Sequence, residues 1–209
     1  MNLPESTFVK RLVPKEKFYT KTSITTKLRQ LFTDEVDKIR WANKISPDTL
    51  NITAGQYAEL QVFEITLKGA ELSTAVLKHI DTFIPYPILF ILQKENALKA
   101  SISFKESTNK SEHQMKVDTY FDTGWNQSLS LELKGRSVDE IYKNYLYQIA
   151  PELRSTNQVS TKVAVEQNKQ HSKVQKQIDA IKRQIVNEPS VARRQEMAHQ
   201  RQALEKMLI

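Results

Sequence analysis

The sequence predicts an α/β (or α+β) fold, with a mixed sheet of about five strands flanked by helices. Three observations carry this reading. The alternating run at residues 59–68 and the apolar run at 88–92 bracket a segment whose apolar residues recur at helical spacing. Three further alternating runs follow before residue 135. From residue 155 the composition turns rich in Gln, Asn, Ser, Thr and Lys, and apolar residues recur only every three or four positions. The expected division is therefore a core at 1–154 and, at 155–209, a linker with a basic amphipathic helical hairpin or short coiled coil.

Along residues 1–20, Phe8, Val9, Leu12 and Val13 suit a strand or arm punctuated by Pro4 and Pro14. A helix is expected next, capped by Thr22 or Ser23, with Ile24, Leu28, Leu31, Phe32, Val36 and Ile39 as its stripe and Pro47 as its end. In the run at 59–68, Glu59, Gln61, Phe63, Ile65 and Leu67 share the core face. Gly69 stops that strand, and Ser73 caps a helix carrying Val76, Leu77, Ile80, Phe83 and Ile84. Ile88 to Leu92 is apolar on both faces, as a central covered strand requires.

Alternation then marks Leu98, Ala100, Ile102 and Phe104, and again Met115, Val117, Thr119 and Phe121, with a polar loop from Glu106 to Glu112 between. Leu129, Leu131 and Leu133 predict a third such strand. Ser137 and Glu140 form a capping box that opens a helix through Ile141, Tyr145 and Ile149. In the tail, Val174, Ile178, Ile181 and Ile185 make a seam of under two heptads. Pro189 interrupts it, standing in the first turn of a second helix with Met197, Leu204 and Leu208 as its stripe.

Bulk properties narrow the function classes. The 209-residue chain is 39% hydrophobic and has no cysteine, which excludes disulfides and thiolate metal sites. No apolar run is long enough for a membrane span or a secretory signal, so a cytoplasmic protein is expected. Only four glycines are present, at 55, 69, 124 and 135, which rules out a P-loop and a dinucleotide fingerprint. The four histidines are scattered, and no zinc site is expected. The net charge of +7 is uneven: residues 1–44 hold ten Lys/Arg against five Asp/Glu, residues 45–154 eleven against fourteen, and residues 155–209 ten against five. Basic ends suit phosphate backbones, where neutralised phosphates release counterions. They suit an acidic protein partner equally.

The segments LFTDEVDKIRWANKISPDTLNI, ELQVFEITLK, IDTFIPYPILFIL and GRSVDEIY, with the charged helical C-terminus, resemble the bacterial and archaeal family catalogued as domain of unknown function 4391. The resemblance covers essentially the whole chain. It implies an accessory component encoded beside helicases and DNA methyltransferases in restriction or antiphage loci, and it implies no activity. Within NEPSVARRQEM a proline stands where the tail pattern would run on, which argues against one continuous coiled coil.

One constellation offers chemistry. Asp48, following Pro47, precedes Glu59 and Gln61 by about the interval found in nucleases of the restriction-endonuclease type, and Glu59 and Gln61 point one way along a strand. Asp48 and Glu59 would hold Mg²⁺, which would activate water on a phosphate. No other cofactor is expected. The usual lysine is missing from the motif, and Lys68 lies on the opposite face with Glu64, where the two are expected to pair. The competing reading makes Pro47-Asp48-Thr49 an ordinary turn with Asp48 accepting a backbone donor, and leaves Glu59 and Gln61 at a strand rim. Asp81 reads as an exposed helix carboxylate.

The candidate phosphate contacts are Lys10, Arg11, Lys15, Lys17 and Lys21 in the arm, and Lys173, Lys176, Lys182, Arg183, Arg193, Arg194 and Arg201 in the tail. A solvated polar helix face explains the tail residues equally well. The favoured expectation is a non-catalytic accessory subunit that binds a helicase or DNA methyltransferase of the same locus, together with DNA or RNA backbone. A metal-dependent nuclease and a homodimer built on the C-terminal helices are the alternatives.

Overall fold

Six strands form one mixed sheet whose spatial order follows the chain: β1 (Phe8–Leu12), β2 (Val36–Ile45), β3 (Leu60–Leu67), β4 (Ile88–Lys94), β5 (Ala97–Ser107) and β6 (Met115–Asp122). Neighbours run antiparallel except β3 and β4, which are parallel and joined through the helix α2 (Thr74–Phe83). The helix α1 (Thr26–Glu35) precedes β2, and α3 (Val138–Ile149) follows the sheet. Beyond them α4 (Thr161–Asn187) and α5 (Val191–Glu205) form a hairpin. The computed structural model describes residues 2–18, 24–107, 115–154 and 161–208. It divides into two units, Met1–Pro151 and Glu152–Ile209.

Burial explains the central elements. Ile88 to Leu92 is buried at every position, so β4 sits in mid-sheet with both faces covered. One face carries Phe63, Ile65, Phe90 and Leu92 against Phe32 of α1 and Val76, Leu77 and Ile80 of α2. Ser73 caps α2 by accepting from the Ala75 amide. Ser137 accepts from the Glu140 amide, while Glu140 accepts from the Arg136 amide at 2.8 Å, so the expected capping signal operates at α3.

Four expectations require correction. The sheet has six strands rather than five, because the predicted first helix ends at Glu35 and Val36 opens β2. Val36, Ile39, Ala42 and Ile45 are buried at intervals of three, which mimics a helix. Register shifts between Val36 and Lys38 and between Trp41 and Asn43 account for that spacing, since each bulge inserts a residue into a two-residue alternation. The cap of α1 is Thr25, which accepts from the Leu28 amide; Thr22 and Ser23 lie outside the described residues.

The strand expected at Leu129, Leu131 and Leu133 is absent. Leu129 and Leu131 are buried, so the alternation is real, but α3 satisfies the backbone here. Gln148 accepts from the Glu132 amide at 2.8 Å and donates to its carbonyl at 2.9 Å, and Asn144 donates to Lys134 O at 3.0 Å. An extended segment tied to a helix by side-chain amides needs no ladder. The polar loop expected after Glu106 lies mostly outside the described residues, and β5 itself runs through Ser107. Pro189 stands before the cap of α5 rather than in its first turn; the cap is Ser190.

Candidate functional site

The β2–β3 connection brings the predicted acidic residues together. Lys44, near the end of β2, places Nζ 3.3 Å from Glu59 Oε1 and 3.6 Å from Asp48 Oδ2. Gln61, on β3, donates from Nε2 to Glu59 Oε2 at 2.6 Å. Thr49 makes the side-chain hydrogen bonds of the intervening turn, accepting from the Ser46 amide at 3.0 Å and donating to Lys44 O at 2.9 Å. The Asp48 carboxylate is thereby left to face Lys44. Side-chain exposure falls from 82% at Asp48 to 25% at Lys44 and 23% at Glu59, and Gln61 is buried. Burial pulls the Lys44 ammonium downward, but the hydrogen bond and charge of Glu59, with Asp48 behind them, outweigh it and hold the pKa above the usual lysine value. Among the described residues nothing donates to the buried Gln61 Oε1 atom. Among the described residues no three His, Asp or Glu side chains are grouped to hold a metal, so Asp48 and Glu59 stand as a pair.

A second polar cluster is sealed in the core. Lys105 Nζ lies 2.7 Å from Asp81 Oδ1 and donates to Asp81 O, Ile84 O and Tyr86 O at 3.1, 2.9 and 2.6 Å. Ser103 and Tyr120 each donate to Asp81 Oδ2 at 2.6 Å. Tyr142 donates to Ser103 O and accepts from the Lys105 amide, and Tyr57 donates to Lys105 O. Asp81 is thus no exposed helix carboxylate; it is 2% exposed. Burial pushes the Lys105 pKa down against the opposing pull of Asp81, and burial with the Asp81 charge pushes the Tyr120 hydroxyl far up. This cluster caps the C-terminal carbonyls of α2 and fixes the turn into β4. Its lysine, serine and carboxylate have no exposed face for a substrate.

The remaining predicted residues divide by environment. Lys15 donates to Val36 O at 2.7 Å and so braces β2. Glu64 pairs with Arg40 at 3.8 Å and Lys68 donates to Thr33 O, so the expected Glu64–Lys68 pair is not formed. Lys10, Arg11, Lys17, Lys173, Lys176, Lys182, Arg183, Arg193 and Arg194 are exposed, while Arg201 pairs with Glu205 at 3.4 Å; Lys21 lies outside the described residues. In the hairpin, Ile178 is buried, whereas Val174, Ile181, Ile185, Met197, Leu204 and Leu208 are only half-buried.

Lys44 and Lys105 are the residues that sequence reasoning missed. Lys44 was hidden by the helical reading of β2. Lys105 carried a usable signal: period two places it with Ser101 and Ser103, opposite Ala100, Ile102 and Phe104. A polar strand face ordinarily looks to solvent, whereas all three residues are buried.

A six-stranded mixed sheet with one parallel crossover and a C-terminal helical hairpin defines the class of this chain. It belongs to the family described as domain of unknown function (DUF4391), whose model matches residues 1–208. No curated protein and no solved structure matches the chain. Among the described residues no helix is long and apolar enough to cross a membrane.

Proposed function

We propose that this chain is a non-catalytic accessory subunit of a bacterial DNA-defence assembly. Its hairpin holds a partner protein, a helicase or DNA methyltransferase of the same locus, and meets nucleic-acid backbone. The observation that carries this reading is the open seam of α4 and α5. Two helices alone leave six of the seven predicted seam residues half-buried and α5 with no buried residue. Val186, Val191 and Met207 stand 82%, 61% and 68% exposed among exposed lysines and arginines. Eleven Lys/Arg against six Asp/Glu in residues 152–209 give this unit a positive field that favours an acidic or phosphate-bearing partner. The defence setting is what the family resemblance implies. Affinity purification of the full chain from its host is the test. Recovery of a helicase or methyltransferase, lost with Val186→Asp and Met207→Asp, supports the proposal; recovery of the chain alone, or as a homodimer by light scattering, removes it.

A second reading, a metal-dependent nuclease, is favoured by the position of Lys44. The neighbouring strand supplies the lysine that the Glu59-Leu60-Gln61 motif lacks, and the two carboxylates converge on its ammonium. Asp48 and Glu59 would hold Mg²⁺, which when bound supplies an activated water and neutralises phosphate charge. Gln61 holds Glu59 in place. Cleavage of DNA or RNA that requires Mg²⁺ and is abolished by Glu59→Ala, with the core still folded, is the expected result; metal-independent or Glu59-independent cleavage ends this reading.

A further inference from the structure

We infer that the sheet face opposite α1 and α2 carries a site for a nucleoside phosphate, with the phosphate held by Lys10 and Arg40 and the base lying on Ile91. The site uses none of the hairpin residues and none of the Asp48–Glu59 group. A cavity of about 450 Å³ opens on this face, within the range of small-molecule pockets. Phe63, Ile65, Phe90 and Leu92 face α1 and α2, so the alternate residues Glu64 and Ile91 face the other way. Register then lays a row across the strands. Arg40 of β2 stands opposite Glu64 of β3, Glu64 stands opposite Ile91 of β4, and all three line the cavity. A cation, a carboxylate and an apolar floor thus follow one another at strand spacings of about 4.8 Å. A nucleoside phosphate has its parts in the same order: an anion, a sugar whose hydroxyls donate to a carboxylate, and a flat base. Leu98 and Leu129 widen the apolar end, and Gln93, in register with Leu98, supplies amide donors and an acceptor for a base edge.

The cationic end is built against a local strain. Lys10 has a φ of 51°, a left-handed conformation that a residue with a Cβ adopts only under constraint, and such residues gather at ligand clamps. The register of β1 shifts at this point, between Phe8 and Arg11. Lys10 Nζ lies 4.1 Å from the centroid of the Phe8 ring, and both residues line the cavity. Among the described residues the Arg40 guanidinium makes no hydrogen bond, and its 3.8 Å approach to Glu64 is too long for one. Its fork is open to a phosphate, which it can grip through two donors. Lys10 and Arg40 against Glu64 leave the cavity with a formal charge of +1, which selects an anion.

Calorimetric titration of the full chain with AMP, GMP, CMP and UMP, with adenosine and inorganic phosphate in parallel, tests this. At least one mononucleotide is expected to bind, one per chain. Adenosine and phosphate should each bind about tenfold more weakly or worse, because each lacks part of the contacts. Arg40→Gln and Lys10→Gly should each weaken nucleotide binding about tenfold. Lys10→Gly separates ligand from fold: glycine takes the left-handed conformation freely, so the thermal midpoint stays level or rises while the phosphate contact is lost. No binding of any of the mononucleotides at millimolar concentration overturns the inference. So does phosphate that binds as well as the nucleotides, or binding unchanged in both variants. A short strand with a terminal phosphate separates the two sources of this chemistry: tighter binding than the mononucleotide assigns a strand end, and equal or weaker binding a free nucleotide.

Discussion

Lys105 Nζ sits 2.7 Å from Asp81 Oδ1 with both side chains wholly inaccessible to solvent. Such a pair is sustained only because the remaining lone pairs and protons are also satisfied, here by Ser103, Tyr120 and three carbonyls at the end of α2. Lys105→Met leaves the Asp81 charge buried without its counter-ion, and a loss of about 3–5 kcal/mol in urea unfolding is expected. Asp81→Asn added to Lys105→Met should recover part of that, since the charge is gone. The recovery stays incomplete because the carbonyls of Ile84 and Tyr86 have lost their donor.

The same cluster sets an alkaline limit. Lys105 has a folded pKa below its unfolded value, so between the two the unfolded chain holds more protons and stability rises with pH. Tyr120 and Tyr142 of the cluster, and separately the buried Tyr145 of α3, act in the opposite direction, because burial keeps their hydroxyls protonated in the fold. Above pH about 10 the unfolded chain releases those protons, and each tyrosine costs about 1.4 kcal/mol of stability per pH unit. Urea midpoints should therefore fall steeply above pH about 10. Tyrosinate absorbance from these three residues should appear only together with unfolding.

Gly55 is required by a close approach. A Cβ there would lie 2.4 Å from Asp139 Oδ2, and that carboxylate accepts from the amides of Gln56 and Tyr57 at 2.8 and 3.0 Å. Gly55→Ala must push Asp139 aside and break this clamp between α3 and the β2–β3 connection. A loss of about 1–3 kcal/mol is expected, chiefly the cost of the part-buried Tyr57 donor left without its acceptor, since the exposed Gln56 donor can turn to water. Gly69→Ala is the control: its Cβ meets nothing within 4 Å, and its effect should stay within about 0.5 kcal/mol.

Helices with local caps were legible in the sequence, as Ser73 and Ser137 show, because a cap is decided within four residues. So was β4, where five consecutive apolar residues suit only a doubly covered strand. What was illegible depended on distant partners. The bulges of β2 answer to β1 and β3. The burial of Asp81 answers to Lys105, twenty-four residues along the chain. The candidate site was half legible: the period of two joined Glu59 to Gln61, but Lys44 joins them only once β2 is recognised as a strand.

Exposure separates the basic residues that can meet phosphate from those that brace the fold. Lys173, Lys176 and Arg183 lie exposed on one stripe of α4, whereas Lys15 is spent on Val36 O. Each phosphate neutralised on duplex DNA contributes about 0.9 to the slope of log affinity against log salt. Lys173→Ala with Lys176→Ala should therefore weaken DNA binding and lower that slope by about 2, with the unfolding midpoint unchanged. Lys15→Ala should do the reverse, lowering stability while leaving the slope as it was. A titration of labelled duplex from low to moderate salt on the three proteins separates these outcomes. Equal slopes for wild type and the α4 double variant would assign the stripe to a solvated helix face.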